Sequence, residues 1–258
     1  MRPPRKTPLH RLFGDSASGA VAVEFVFIFP LLVGLLVGGN ELARFIRARQ
    51  QLNDYAAMVA YDIAGAATDV PIQRLGEMIR RFGLVAPELI DPTQDAWPAG
   101  GRSYFSVGIS MVEMVVIPGT CNSGSSVRTL DNCRYRAEVR WWFGSQQRPC
   151  QELTDRGSAA ASLATLPTGA FQANAVVLVD VSVNYKPIFQ SGFKVGGIDL
   201  AALNRSLTRT FTAESWQTVR NWRNSGQTAG EFTNYPKLVG ANAGVWDGAN
   251  CPIPSSSP

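Results

Sequence analysis

The chain has 258 residues, enough for one domain with extensions, and an ordinary hydrophobic content of 45%. Its net charge is +4, with Arg2, Arg5, Lys6 and Arg11 against Asp15 in the first 19 residues; the remainder carries 20 basic and 19 acidic side chains, which argues against a nucleic-acid surface. The single histidine, His10, lies in that leader, so Ser-His and Cys-His catalysis are excluded from the rest of the chain.

The basic leader, residues 1–19, is followed by "GAVAVEFVFIFPLLVGLLVGG" from Gly19 to Gly39. This run matches the roughly 20 residues that cross a bilayer as a helix. It contains one charge, Glu24, and one proline, Pro30. A cleaved secretory signal would have a shorter apolar core and a small-x-small cleavage site, and neither is present. Four basic residues precede the run and Arg44, Arg47 and Arg49 follow it, a slight push toward a cytoplasmic N-terminus. Gly34 and Gly38 form a G-x-x-x-G pair, which lets two membrane helices approach closely.

From residue 40 the pattern becomes amphipathic. Leu42, Phe45, Leu52, Ala56, Val59 and Ile63 recur at helical steps, and Glu41, Arg44, Arg47, Gln51, Asp54 and Asp62 occupy other faces. No proline occurs between Pro30 and Pro71. One helix from about residue 20 to 67 is expected, roughly 72 Å long at 1.5 Å per residue. "IQRLGEMIRRFG" predicts a short helix closed by Gly83, and "APELIDPTQDAWPAGG" a loop.

Four strands are predicted next, at 104–117, 133–143, 175–189 and 206–214, with a short helix between the second and third. In the second, Tyr135, Ala137, Val139, Trp141 and Phe143 alternate with Arg134, Arg136, Glu138 and Arg140, which predicts one buried and one wet face. In the third, Val177, Val179, Val181, Val183 and Tyr185 point inward and Asp180, Ser182 and Asn184 form the wet face. The D-x-S-x-N order of those three residues is similar to a von Willebrand A metal motif, but the strand continues where that motif turns. Glu113, an acid within a strand, suggests an edge position that discourages aggregation. After Trp216 the chain turns polar and rich in Gly and Asn, an irregular extension.

Cys121, Cys133, Cys150 and Cys251 all follow the apolar run. An even number outside the cytoplasm implies disulfides, and four cysteines allow three pairings. The expected set is Cys121–Cys133, bracing a hairpin, and Cys150–Cys251, tying down the tail. Their spacing fits no zinc knuckle, and no metal or cofactor is expected.

"GAVAVEFVFIFP" with "NELARFIRARQQLNDYAAMVAYDIAGAA" resembles the TadE-like family, the minor pseudopilins of tight-adherence (Flp, type IVb) pili. The shared features are G-x-x-x-x-E-F, a mid-span proline and an Arg- and Ala-rich amphipathic helix. "LPTGAFQANAVVLVDVSVNYKPIF" resembles a downstream strand of the family, while residues 214–258 resemble nothing identifiable. The resemblance implies cleavage by prepilin peptidase after Gly19, leaving Ala20 first and Glu24 fifth, followed by the aromatic Phe25. Glu24 would then meet the new N-terminal amine of a neighbouring subunit and set axial register. It further implies no catalysis, and partners among the membrane, prepilin peptidase, other pilins and pseudopilins, and the inner-membrane assembly platform.

The expected class is α+β: a long N-terminal helix, transmembrane then amphipathic, followed by a pilin-like antiparallel sheet of about four strands. The expected divisions are a leader 1–19, a span 20–39, a stalk 40–69, a periplasmic domain 70–213 and an extension 214–258. The expected place is the bacterial inner membrane, with the C-terminal domain periplasmic, or an extracellular pilus. Two alternatives share this layout: an uncleaved single-span scaffold or sensor, and an adhesion or binding module.

Overall fold

The structure, a computed structural model, describes residues 16–66, 69–85, 105–117, 119–120, 134–171, 175–185, 194–195, 198–199, 209–219, 235–240 and 247–252. The chain divides into two units, Met1–Ile46 and Arg47–Pro258. The elements in order are α1 (Ser16–Ala64), β1 (Val70–Pro71), α2 (Ile72–Val85), β2 (Phe105–Val116), β3 (Tyr135–Gly144), β4 (Glu152–Asp155), β5 (Thr165–Leu166), β6 (Val176–Tyr185), β7 (Lys194–Val195), β8 (Ile198–Asp199), β9 (Arg209–Thr218), β10 (Leu238–Val239) and β11 (Gly248–Asn250). The class is α+β, as expected.

Among the described residues the first unit is α1 from Ser16 to Ile46, which includes its apolar run. Pro30 lies inside it without ending it. A proline inside a helix forfeits one backbone hydrogen bond, a loss that helices crossing a membrane accommodate through neighbouring groups and local backbone adjustment.

The second unit is built on a sheet of order β5-β4-β3-β2-β6-β9, with β11 also paired to β3. Along β3, β2, β6 and β9 each neighbouring pair is antiparallel. These are the four predicted strands, and their runs of Val, Ile, Phe and Trp suit a pleated, packed surface. The sheet as a whole is mixed, because β4 pairs parallel with β5; β1 and β10 form a separate parallel pair. Residues 152–155 and 165–166 are strands where a helix was expected, and a 3-10 helix at Thr168–Ala170 follows them before β6. Ala-rich "SAAASLA" favours a helix locally, but Leu153 and Leu166 are buried in the apolar cluster over the sheet, and that burial wins over weak propensity.

Both faces of the central strands are covered, so their burial patterns show almost no alternation. On one face Phe105, Val107, Ile109 and Met111 lie opposite Val183, Val181, Val179 and Val177. Tyr55 of α1 meets the Phe105 ring edge-on at 6.2 Å. Leu52, Tyr55, Ala56, Val59, Ala60 and Ile63 are all buried, as the stripe predicted from Leu52 onward. Leu42, also assigned to that stripe, is 59% exposed. Each large apolar side chain buried here contributes about 1.5–3 kcal/mol. On the other face Val112, Met114, Ala137, Val139, Val176 and Leu178 form a cluster with Leu153, Leu166, Ala170 and Cys251.

The alternation predicted for β3 fails at Arg140. Met111 is opposite Trp141 and Val112 is opposite Val139, so Arg140 is an extra residue, a β-bulge. Neighbouring residues of β2 point to opposite faces. Trp141 and Phe143 therefore face away from Ala137 and Val139, although odd numbering had placed them together. Glu113 also corrects an expectation. It is buried, it lies on the central strand β2 rather than an edge strand, and it accepts a hydrogen bond from Arg140.

Gly108 and Gly144 let the chain fold back over the sheet after β3. Gly144 has φ +101, and a Cβ there would lie 2.2 Å from the Val107 carbonyl oxygen. A Cβ on Gly108 would lie 1.9 Å from the Gln146 carbonyl oxygen. The backbone N–H groups of Ser145 and Gln146 both donate to the Val107 oxygen, at 2.7 and 3.2 Å. Gly108→Ala is expected to destabilise the head by about 1–3 kcal/mol through overpacking. Urea unfolding followed by tryptophan fluorescence measures this, and an unchanged midpoint would contradict the close approach.

Candidate functional site

The candidate site begins in α1. Gly19 and Ala20 are helical, and Glu24 and Phe25 are exposed on the helix surface. Phe25 and Phe29, one turn apart, stack with centroids 5.4 Å apart. The large side chains from Val23 to Leu36 are exposed; Phe27 and Leu36 reach 74%. A Cβ added at Gly34 or Gly38 would meet nothing within 4 Å. Glu24, Leu31 and Gly38 are spaced by seven residues, so they share one face of the helix. The acid and the second glycine of the G-x-x-x-G pair thus occupy one continuous strip of apolar surface. Such a strip is what a bilayer or the flat side of another apolar helix would cover.

The head carries a second polar constellation that the sequence did not reveal. Arg148, 1% exposed, reaches over the sheet from the chain that crosses Gly108. Its Nε and Nη2 donate to Asp180 Oδ2 and Oδ1 at 2.7 and 2.8 Å. Nη2 also donates to Glu214 Oε1 at 2.9 Å, and Nη1 to the Leu163 and Thr165 carbonyls at 3.3 and 2.7 Å. All five guanidinium donors are therefore engaged. Arg156 Nη2 donates to the other oxygen of Glu214, which balances two acids with two bases. Burial pushes the Asp180 carboxyl above its usual range, against the pull of Arg148.

Of the wet face expected on β6, Asp180 is covered, while Ser182 and Asn184 are half-buried. Ser182 Oγ lies 2.6 Å from Ser106 Oγ, and Gln146 Nε2 donates to both. Asn184 Oδ1 accepts from Thr210 Oγ1 at 2.7 Å. Both Asp180 oxygens are held by Arg148, so the D-x-S-x-N run is a hydrogen-bonded strand face rather than an open cation site. Among the described residues no cluster of His, Cys, Asp and Glu could hold a metal. A second network joins Glu113 to Arg140, Arg140 Nη1 to Glu138 Oε2 at 3.1 Å, and Arg136 Nε to Glu138 Oε1 at 2.6 Å. Beside it, burial raises the Tyr235 hydroxyl above its ordinary value.

Cys150 and Cys251 form a disulfide with Cα atoms 5.4 Å apart. Cys121 and Cys133 lie outside the described residues. The bond anchors a C-terminal segment that pairs with the head: β11 lies antiparallel to β3 at Phe143–Trp141, and Trp141 Nε1 donates to the Pro236 carbonyl at 2.7 Å.

The class that these features define is an α+β protein carrying one helix long and apolar enough to cross a membrane, Val23–Ala64 within the described residues. The family model for TadE-like proteins matches residues 19–60, so the N-terminal segment is TadE-like from Gly19 through the amphipathic half of α1. The match points to a protein associated with tight-adherence pili. No curated protein and no solved structure matches the chain.

Proposed function

We propose that this chain is a minor pseudopilin of a tight-adherence (Flp, type IVb) system, cut by prepilin peptidase after Gly19 and acting by helix packing rather than catalysis. The observation that carries the reading is the position of Glu24: an exposed carboxylate, the one charged residue between Gly19 and Gly39, five residues after Gly19 and within the TadE-like match. A carboxylate in hydrocarbon costs several kcal/mol unless it is paired, protonated or near the interface. A new amine at Ala20 of a neighbouring subunit supplies the pair, and the strip through Leu31 to Gly38 supplies the contact. In this reading residues 1–19 are removed on the cytoplasmic side, residues 20–39 span the inner membrane with Pro30 tolerated inside the helix, and the head lies in the periplasm with its disulfide. The partners are prepilin peptidase, other pilins and pseudopilins, and the assembly platform, and the processed subunit enters a fibre or its initiation complex.

N-terminal sequencing of the membrane-extracted protein from cells with active prepilin peptidase tests the reading. Ala20 is expected first. Gly19→Leu is expected to abolish processing, leaving a chain heavier by residues 1–19 on intact-mass analysis. A wild-type chain that retains Met1 in such cells would overturn the reading.

A further inference from the structure

We propose that Cys150 is a thiol-exchange site: a dithiol enters the Cys150–Cys251 bond through the Cys150 sulfur, and the exchange opens a clasp formed by residues 235–240 and 247–252. The two cysteines differ in access. Cys150 is exposed, whereas Cys251 is 7% exposed and packs in the apolar cluster with Val112, Met114, Ala137 and Val139. Exchange requires a thiolate to reach the sulfur it bonds to, so access selects Cys150. The thiolate attacks Cys150 Sγ and a mixed disulfide forms. The Cys150–Cys251 bond breaks with its electron pair on Cys251, which takes a proton from water. The second thiol of the reagent then gives its proton to water and attacks the reagent's own sulfur in the mixed disulfide. Cys150 leaves and is protonated, and the reagent departs as a disulfide. Two electrons and two protons have then passed from the dithiol to the two cysteines.

What the bond holds reaches from the sheet to the corner between the two helices. At the sheet, Cys251 N–H donates to the Arg140 carbonyl at 2.7 Å, and Gly144 N–H to the Asp247 carbonyl at 2.8 Å. Trp141 Nε1 holds the Pro236 carbonyl at 2.7 Å. Asn250 Nδ2 donates to the Leu238 carbonyl at 3.0 Å and so fastens β11 to β10. β10 in turn pairs with β1, the two-residue link that leads into α2. There Val70 N–H donates to the Lys237 carbonyl at 2.8 Å, and Lys237 N–H to Asp69 Oδ1 at 3.0 Å. The same segment thus grips β3 on one side and the α1–α2 corner on the other.

Strand pairs as short as β1–β10 depend on support from outside the pair. The support here is the chain of contacts that ends at the disulfide. Opening the bond is expected to free the Lys237 carbonyl from Val70 without unfolding the head. α2 keeps its own contacts with α1, from Tyr55 Oη to the Met78 carbonyl at 3.1 Å and from Arg74 Nη2 to Asp62 Oδ2 at 3.0 Å. β2 keeps its long pairings with β3 and β6. The opening is therefore local, confined to the clasp and the Val70–Pro71 link, and chemistry at Cys150 is felt at the helix corner.

The full-length chain in detergent provides the test, in two measurements. Glutathione, a monothiol whose mixed disulfide persists, is added and the reaction is stopped early with acid. Peptide mass mapping is expected to find the adduct on Cys150 and a free thiol on Cys251, about tenfold over the reverse arrangement. Adducts shared equally, or favouring Cys251, would overturn the exchange site. In the second measurement dithiothreitol reduces the chain, and amide hydrogen exchange at Val70 is expected to rise about tenfold while β2 and β6 keep their protection. C150S/C251S, which retains Cys121 and Cys133, is expected to show the fast Val70 exchange before any reductant is added and no further change after it. Val70 protection that survives reduction would overturn the clasp. So would a loss of protection throughout β2 and β6, because the whole head would then depend on the bond. A response to dithiothreitol that persists in C150S/C251S would assign the effect to Cys121 and Cys133 and overturn it as well.

Discussion

Arg148→Met is expected to destabilise the head by about 3–5 kcal/mol, because it leaves the buried Asp180 carboxylate without its partner. The side chain is 1% exposed and its five donors meet five acceptors. Methionine keeps much of the volume but none of the donors. Urea unfolding of the full chain in detergent, followed by tryptophan fluorescence, measures the loss. A second variant separates the lost pairing from disturbed packing. Arg148→Met with Asp180→Leu removes both charges and is expected to recover much of the stability, since apolar replacement of a whole buried pair is often near neutral. A double variant no more stable than the single one would show that packing, not the orphaned charge, sets the cost. The pH dependence has a definite sign. Burial already raises the Asp180 carboxyl above its ordinary value, and loss of Arg148 removes the main opposing pull. A carboxyl raised in the folded state binds protons more tightly there than when unfolded. The deficit of Arg148→Met relative to the unmutated chain is therefore smallest at low pH. It grows as pH rises from the unfolded value toward the folded one.

This network also marks where sequence reading stops. Long α1 was legible because an uninterrupted apolar run passes directly into a three- and four-residue stripe. The four central strands were legible from their β-branched and aromatic runs. The bulge at Arg140 was not, because the alternation of "RAEVRW" continues through it with a polar residue at the expected place. Only the pairing of Met111 and Val112 with Trp141 and Val139 shows that two large aromatics have changed face. Asp180 read as part of the wet face of Asp180, Ser182 and Asn184 because a polar residue at an alternate position looks the same whether water or protein covers it. What covers Asp180 is Arg148, 32 residues away, carried there by a chain reversal that needs Gly108 and Gly144. Glycines announce a turn, but not which side chain the turn delivers. In the candidate assembly strip the situation is reversed. Gly19, Glu24, Phe25, Gly34 and Gly38 belong to the proposed assembly role, and helix periodicity alone fixes the faces of that segment.

Removing the Cys150–Cys251 bond, by Cys150→Ser with Cys251→Ser, is expected to cost about 2–5 kcal/mol. The two residues are 101 apart in sequence, and a loop that long retains much chain entropy when it is not closed. The bond also holds a short element that has little else. β11 has three residues, and its pairing with β3 is extended by Gly144 N–H to the Asp247 carbonyl at 2.8 Å and Cys251 N–H to the Arg140 carbonyl at 2.7 Å. Strands this short rarely persist without covalent or packing support. β11 satisfies the backbone of β3 at Trp141–Phe143, a stretch that would otherwise present an unpaired apolar edge. The double serine variant is therefore expected to lose stability and to become sensitive to proteolysis in residues 235–252, while cleavage within β2 and β6 stays slow. Faster cleavage of the tail with an unchanged urea midpoint would show that the strap is dispensable to the head. An unchanged midpoint with an uncleaved tail would show that β10, β11 and the Trp141–Pro236 hydrogen bond hold it without the disulfide, and the entropic account would fail.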